Sequence, residues 1–179
     1  MTAGIVAALI GGFAATLVAL LNGFVVESYK RHLEGSSIAS GLAGELDSYS
    51  DAVPFLRETL EGMHNKVAAG QRGSLYFRPF DRPKDLFYES AVAKLGVLPV
   101  DLVANVAYVY GNIGAFRQAF GVLMNESKSM TDDELFVRIE AVSRAIDRVM
   151  DRGPATLVAL KARAAKRWHL RELATSFAF

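Results

Sequence analysis

At 179 residues the chain has room for about one domain plus an extra segment, domains usually running to roughly 100–200 residues. A hydrophobic share of 51% and a formal net charge of +1 exclude a disordered chain and one dominated by nucleic-acid binding. The absence of cysteine excludes disulfide frameworks, thiolate metal sites and thiol catalysis.

The charge divides the chain into unlike parts. Residues 1–26 carry no charged side chain. Glu27–Asp151 holds 14 Lys/Arg against 18 Asp/Glu, a net of −4, and Arg152–Phe179 holds 6 against 1, a net of +5. The organisation expected is an anchor over 1–26, a helical bundle domain over 27–153 and a basic C-terminal helix over 154–179.

Ile5 to Val26 is a 22-residue run of apolar and small residues, relieved in polarity by Thr16 and Asn22. At ~1.5 Å per residue it makes roughly 33 Å of helix, enough for a hydrocarbon layer of about 30 Å. A secretory leader normally opens with positive charge and has a shorter apolar core. Met1-Thr2-Ala3-Gly4 offers no such charge, so a retained transmembrane helix is expected. Lys30, Arg31 and His32 follow the run and no basic side chain precedes it, so the positive-inside rule puts the following domain in the cytoplasm.

Small residues recur at every fourth position of the run: Ala7, Gly11, Ala15, Ala19 and Gly23, with Gly12 and Thr16 alongside. Such a strip lets a second helix backbone approach closely in lipid, where dispersion and weak Cα–H contacts replace the hydrophobic drive. A helix–helix interface is the reading preferred over the commonness of Ala and Gly in membrane helices. Asn22 is placed to hydrogen-bond across that contact or to sit among head groups.

Beyond the run, Leu33, Ile38, Leu42, Leu46, Tyr49, Val53, Leu56, Leu60, Met63 and Val67 keep steps of three and four, one apolar stripe of a long helix continuing from the anchor. Gly35-Ser36-Ser37 and Gly41 are weak points, and Pro54 kinks the helix or marks a restart capped by Ser50 or Asp51. Residues 68–83, with Gly70, Gly73, Pro79 and Pro83, read as a loop packed by its own Tyr76, Phe77 and Phe80. Three arginines with three aromatics are too few to argue for stacking on nucleic acid.

Lys84 to Lys94 reads as a short helix ended by Gly96, with Pro99 at the first position of the next. Between Pro99 and Met124 the charged residues are Asp101 and Arg117, and the uncharged stretch between them is 15 residues, short of the about 20 that a crossing needs. A buried helix is expected, with Leu102, Val106, Val109, Ile113, Phe116, Phe120 and Leu123 inward. Thr131-Asp-Asp-Glu134 is a capping box, and Leu135, Ile139, Val142, Ile146 and Val149 repeat at bundle spacing. Gly153-Pro154 stops or sharply bends that helix. The last segment sets Leu157, Leu160, Ala164 and Trp168 on one face, ringed by Lys161, Arg163, Lys166, Arg167 and Arg171. With Lys30 and Arg31, these basic residues and Trp168 form a candidate contact with the anionic leaflet or an acidic partner, against the plainer reading of a last helix packed on the bundle.

Chemistry leaves little trace. His32, His64 and His169 lie on separate segments without metal-ligand spacing and read as surface or capping residues. No nucleophile elbow, phosphate-binding loop or dinucleotide fingerprint occurs. Asp132, Asp133 and Glu134 belong to a helix cap, and Glu58 with Glu61 to an exposed helix face. No cofactor, metal or small-molecule substrate is implied.

Tyr88-Glu89-Ser90-Ala91-Val92-Ala93-Lys94-Leu95-Gly96-Val97-Leu98-Pro99, followed by Leu102-Val103 and Tyr110, resembles a pattern of uncharacterised bacterial single-pass membrane proteins. There an anchor and a long helix precede a Tyr-Glu-x-Asn-x-x-x-Lys-Leu-Gly-x-Leu-Pro-like turn and a further helix. Ala91 stands where that pattern has Asn. The likeness brings no activity with it. From the residues themselves, Gly96 supplies a helix C-cap, Pro99 starts the next helix and Tyr88 with Leu95 packs the corner, and the fold expected is all-α, the transmembrane helix continuing into a long helix of a small antiparallel bundle. The function expected is a non-enzymatic accessory or scaffold subunit in a membrane hetero-complex or homo-oligomer, against a membrane-anchored sensor or defence-type effector that switches by helix repacking or self-association.

Overall fold

A computed structural model describes residues 2–75 and 85–169, with side chains from Gly11 onward. The aromatic loop residues Tyr76, Phe77 and Phe80, the Ala7 side chain and Arg171 lie outside that description. Every regular element among the described residues is helical: α1 Thr2–Ser50, α2 Val53–Ala68, a 3-10 turn Arg72–Ser74, α3 Leu86–Ala91, a 3-10 segment Val92–Val97, α4 Val100–Glu126 and α5 Asp132–Ala165.

The uncharged run and the stripe as far as Tyr49 are one uninterrupted helix. At 49 residues α1 runs for about 74 Å. Gly35, Ser36, Ser37 and Gly41 do not break it, because their smallness is used. A Cβ on Gly41 would overlap the Phe87 ring, and one on Gly35 would meet the Arg163 guanidinium. From Gly11 to Val26 every residue except Val25 is exposed, including Phe13 at 74%, and the helix is long and apolar enough there to cross a membrane. Past His32 the same helix enters the core through Ile38, Ala39, Leu42, Ala43 and Leu46. Leu33, counted in the stripe, is half exposed; Ala39 and Ala43 are buried in addition to the larger side chains, so the covered face is broader than the leucines alone mark out.

α1 ends at Ser50 and the chain restarts as α2 with Pro54 in the first turn, where a missing N–H costs nothing. The residue before the restart is Ala52 in a helical conformation without a side-chain cap, rather than Ser50 or Asp51. A second shift occurs at Pro99, which precedes α4 (φ −55°, ψ 142°) instead of occupying its first position. Gly96 does not make a left-handed cap. It lies inside the 3-10 segment, and Gly70 is the described glycine with positive φ, at 70°.

Two apolar cores lie end to end. One gathers α1, α3, the 3-10 segment, the first half of α4 and the end of α5, around Leu42, Val106, Val109 and Leu160; the other gathers α2, the end of α4 and the start of α5, around Leu60, Leu123, Leu135 and Ile139. All seven positions expected to point inward from α4 are buried or half-buried, and so are the five spaced along α5. As α5 advances, its partners step backward: Asp147 pairs with Arg57 at 2.5 Å, Lys161 with Asp47 at 3.0 Å, Arg163 with Ser36 at 3.0 Å and Trp168 with Ser28 at 3.4 Å.

The threonine half of the capping box forms, the Thr131 hydroxyl accepting from Glu134 N–H at 3.2 Å, whereas the Glu134 carboxylate accepts from Arg138 instead of closing back on the cap. Gly153-Pro154 does not stop the helix, which runs through both residues to Ala165, so the boundary expected at 153/154 falls within α5. Proline forgoes one hydrogen bond to the preceding turn. Buried Thr156 and Leu160, just beyond it, hold the next turns in place, Thr156 also bonding back to the Arg152 carbonyl at 2.8 Å. Trp168, expected on a helix face, comes after the helix has ended.

Leu160 is fully buried in the core, so Leu160→Ala is expected to cost about 2–5 kcal/mol. Val158→Ala, two residues away and 68% exposed, changes stability by under about 0.5 kcal/mol. Thermal unfolding of both variants in mild detergent checks this; equal midpoints contradict the packing of α5.

Candidate functional site

Polar side chains gather where α1, α3 and α4 meet. Glu45, at the end of the buried stretch of α1, takes the Phe87 and Tyr88 backbone N–H groups at 3.0 Å each and the Tyr110 hydroxyl at 2.9 Å. Asp85, buried just before α3, accepts from the Tyr49 hydroxyl at 2.8 Å and from both Arg117 nitrogens, one at 2.8 Å. The Arg117 guanidinium lies 5.5 Å from the Tyr49 ring centre, and Tyr88 stacks on Tyr110 with centroids 4.0 Å apart and planes within 4°. Two carboxylates, three rings and one guanidinium thus clamp the entry of α3 onto the two long helices.

The electrostatics follow from burial. Burial and the Asp85 hydrogen bond push the Tyr49 phenol up to about 12. Burial and the Glu45 carboxylate lift Tyr110 well above the ordinary tyrosine range. For Arg117 burial opposes the charge, and the hydrogen bond and attraction of Asp85 more than offset it, so its pKa is raised. The Glu45 and Asp85 carboxylates, the Tyr49 and Tyr110 hydroxyls and the Arg117 guanidinium are each engaged by a partner, and no buried side-chain nitrogen or oxygen among the described residues lacks a hydrogen-bond partner. That arrangement suits a latch better than a proton-transfer site, which needs a group facing substrate.

Beside the latch lies an apolar cleft of about 250 Å³, at the break between α1 and α2. Leu46, Val53, Leu56, Ile113, Ile146 and Leu157 line it, with Pro154 on one wall and Tyr49 and Arg117 at its polar edge. A break in one helix wall and a proline in another therefore face the same small volume.

The residues singled out from sequence fall into separate places. Gly11, Ala15, Ala19 and Gly23 are exposed on the apolar half of α1, and a Cβ added at Gly11, Gly12 or Gly23 would meet no atom within 4 Å. Thr16 satisfies its hydroxyl on the Gly12 carbonyl at 2.9 Å. Lys30 and Arg31 are exposed just past the apolar segment, as are Lys166 and Arg167 after α5. Lys161 and Arg163 sit further along, bonded to Asp47 and to Ser36 with the His32 carbonyl. Leu157, Leu160 and Ala164 turn toward the core rather than outward. His32, expected at the surface, is buried between α1 and the end of α5. Among the described residues no three His, Asp or Glu side chains form a group suited to a metal ion.

The latch escaped sequence reading, although one sign of it was present. Arg117 interrupts an otherwise apolar helix, and a cation there needs a buried partner. That partner, Asp85, lies 32 residues away, ahead of α3 and outside the apolar period of α4.

Compared with protein-family models, with curated proteins and with solved structures, the chain matches none.

Asp85→Asn leaves Arg117 half-buried and without its charge partner, and is expected to cost about 2–4 kcal/mol, whereas the paired change Asp85→Leu with Arg117→Met costs far less. Chemical denaturation of the single and double variants measures the difference; equal losses would mean that the ion pair is not coupled. The tyrosines give a pH test. Tyr49 keeps its proton to about pH 12 when folded, against about 10 when unfolded. Its contribution is therefore fully present below pH 10 and disappears as pH rises through 12. Ultraviolet titration should show phenol ionisation from Tyr49 and Tyr110 continuing above the ordinary tyrosine range; loss of that late phase from the folded protein contradicts the latch.

Proposed function

We propose that this protein is a non-enzymatic accessory or scaffold subunit, held in a bacterial-type inner membrane by the first half of α1 and docked there against another membrane protein or a second copy of itself. In this reading the N-terminus faces outward and the remaining helices form a small antiparallel bundle in the cytoplasm, the side to which Lys30 and Arg31 assign it. The partners are membrane proteins and the bilayer, with no part for nucleic acid, cofactor or small-molecule substrate. Its organisation groups it with the single-pass proteins that the Tyr88–Pro99 segment resembles.

The observation that carries the reading is the strip of small residues Gly11, Ala15, Ala19 and Gly23 on the uncovered apolar half of α1, with open space where a Cβ would go at Gly11 and Gly23. Glycine inside a helix is less favourable than alanine by about 1 kcal/mol. Gly35 and Gly41 have a reason within the chain, since other side chains fill the space where their Cβ would go. Gly44, Gly62, Gly111 and Gly114 are as open as the span glycines, and what sets Gly11 and Gly23 apart is their four-residue spacing with Ala15 and Ala19 on an uncovered apolar helix. A second helix fitted against Gly11, Ala15, Ala19 and Gly23 uses that strip.

A second reading has the cleft in its favour: a sensor or effector whose helices repack at the α1–α2 break when an apolar ligand fills that volume. The two differ in what a stripe mutation does. Under the subunit reading, Gly11→Leu with Ala15→Leu lowers recovery of the associated membrane protein, or of the dimer, about tenfold after mild-detergent purification and crosslinking. Unchanged association removes the docking face and leaves the sensor reading in front.

A further inference from the structure

The end of α5 comes back to the turn of α1 that follows the apolar segment, and this return gathers aromatic and basic side chains at one level. Tyr29 stands about 5 Å beyond Val26 along the helix axis. Trp168 meets Tyr29 edge-on with ring centres 5.5 Å apart, and its indole N–H donates to Ser28 at 3.4 Å. Exposed Lys30 and Arg31 follow Tyr29, and exposed Lys166 and Arg167 precede Trp168. The acid on the same turn is Glu27, while Glu34, further up the helix, holds Lys94 at 2.8 Å.

We infer that this collar is a docking surface for the anionic phospholipid head groups of the leaflet beside the span. It rests on the anchor reading and deepens it by naming what the bundle's near end touches. Tyrosine and tryptophan concentrate where hydrocarbon gives way to water, their rings in the ester region and their polar edges outward. Lysine and arginine at that level meet phosphates directly. Continuity with the span selects lipid over an acidic protein, because a leaflet containing Val26 has its head groups at Tyr29 and Lys30.

The contact is end-on. An amphipathic helix lying in the interface needs its apolar face free, and Leu157, Leu160 and Ala164 are committed to the core. Lys161 takes no part, since its partner Asp47 is roughly 30 Å past Val26, and Arg163 at Ser36 is roughly 15 Å past it. The collar is therefore limited to Lys30, Arg31, Lys166 and Arg167 around the ring pair.

Trp168 is the chain's single tryptophan, so its emission reports this site without labelling. The full chain is reconstituted in phosphatidylcholine vesicles with and without phosphatidylglycerol. Emission is read at low and high salt, with quenchers placed in water, on the head group or deep in the chains. The collar predicts strongest quenching from the head group. It also predicts a blue shift and loss of aqueous quenching on adding phosphatidylglycerol, reversed by salt. Both are abolished by Lys30→Gln, Arg31→Gln, Lys166→Gln and Arg167→Gln together and kept by Lys161→Gln, with circular dichroism showing that each variant remains helical. Emission indifferent to phosphatidylglycerol, as for a surface built for an acidic protein, overturns the inference, and so does a shift that survives the fourfold change. Alkaline carbonate washing reports the anchor separately. A chain that washes off overturns anchor and collar together, whereas a chain that stays with lipid-indifferent emission overturns the collar alone.

Discussion

The first half of α1 presents a surface that the rest of the chain does not cover. Phe13, Leu17, Val18, Leu20, Leu21 and Phe24 are each about half exposed or more, on a helix with no charge for its first two dozen residues. Exposed apolar area is unfavourable in water by about 25 cal/mol per Å². A contiguous apolar surface on all sides of a helix marks contact with something other than water. Thr16, bonded to its own helix, adds no demand for water. Everything proposed for this protein follows from that uncovered segment being continuous with a folded one.

Continuity gives the helix mechanical consequences. The same rod that would sit in lipid enters the core at Ile38 without a hinge, so the tilt of one end is transmitted to the other. The first chain break comes at Asp51-Ala52, beyond the latch. The latch therefore fixes α3 and α4 to the portion of α1 that is continuous with the uncovered apolar segment. The apolar cleft lies where rigidity ends. Its walls include the restart of α2 and the turn around Pro154, two places where a backbone hydrogen bond is already missing and rearrangement costs least.

Much of this was legible in the sequence, because helices announce themselves by period. The apolar faces of α4 and α5 were readable, since an amphipathic stripe has one way to be buried, and so was the Thr131 cap, a local device. Endings were less legible. Pro154 reads as a stop, yet α5 continues because packing of Thr156 and Leu160 outweighs one lost hydrogen bond. Gly96 reads as a cap, but a 3-10 segment needs no left-handed residue. The basic tail reads as an amphipathic helix, and tertiary contact used its apolar face for the core instead. The latch was hidden for a different reason. Glu45, Asp85, Tyr110 and Arg117 meet from three segments, and no single-chain periodicity encodes which polar groups will face one another. Lys161 and Arg163 likewise gave no sign that Asp47 and Ser36 would engage them.

The central claim is that the exposed apolar half of α1 resides in lipid while the helix from Lys30 onward stands outside it. The natural absence of cysteine makes this directly measurable, because single cysteines can be introduced into an otherwise unreactive chain. Cysteines placed singly along residues 11–34 and 166–169 in native membranes, then challenged with a membrane-impermeant maleimide before and after permeabilisation, map the boundary. The account predicts protection from Gly11 to Val26 under both conditions, and labelling at Lys30, Arg31 and Arg167 once the reagent reaches the cytoplasmic side. Labelling of positions 11–26 as readily as Arg31, or recovery of the chain in the aqueous fraction, would contradict it.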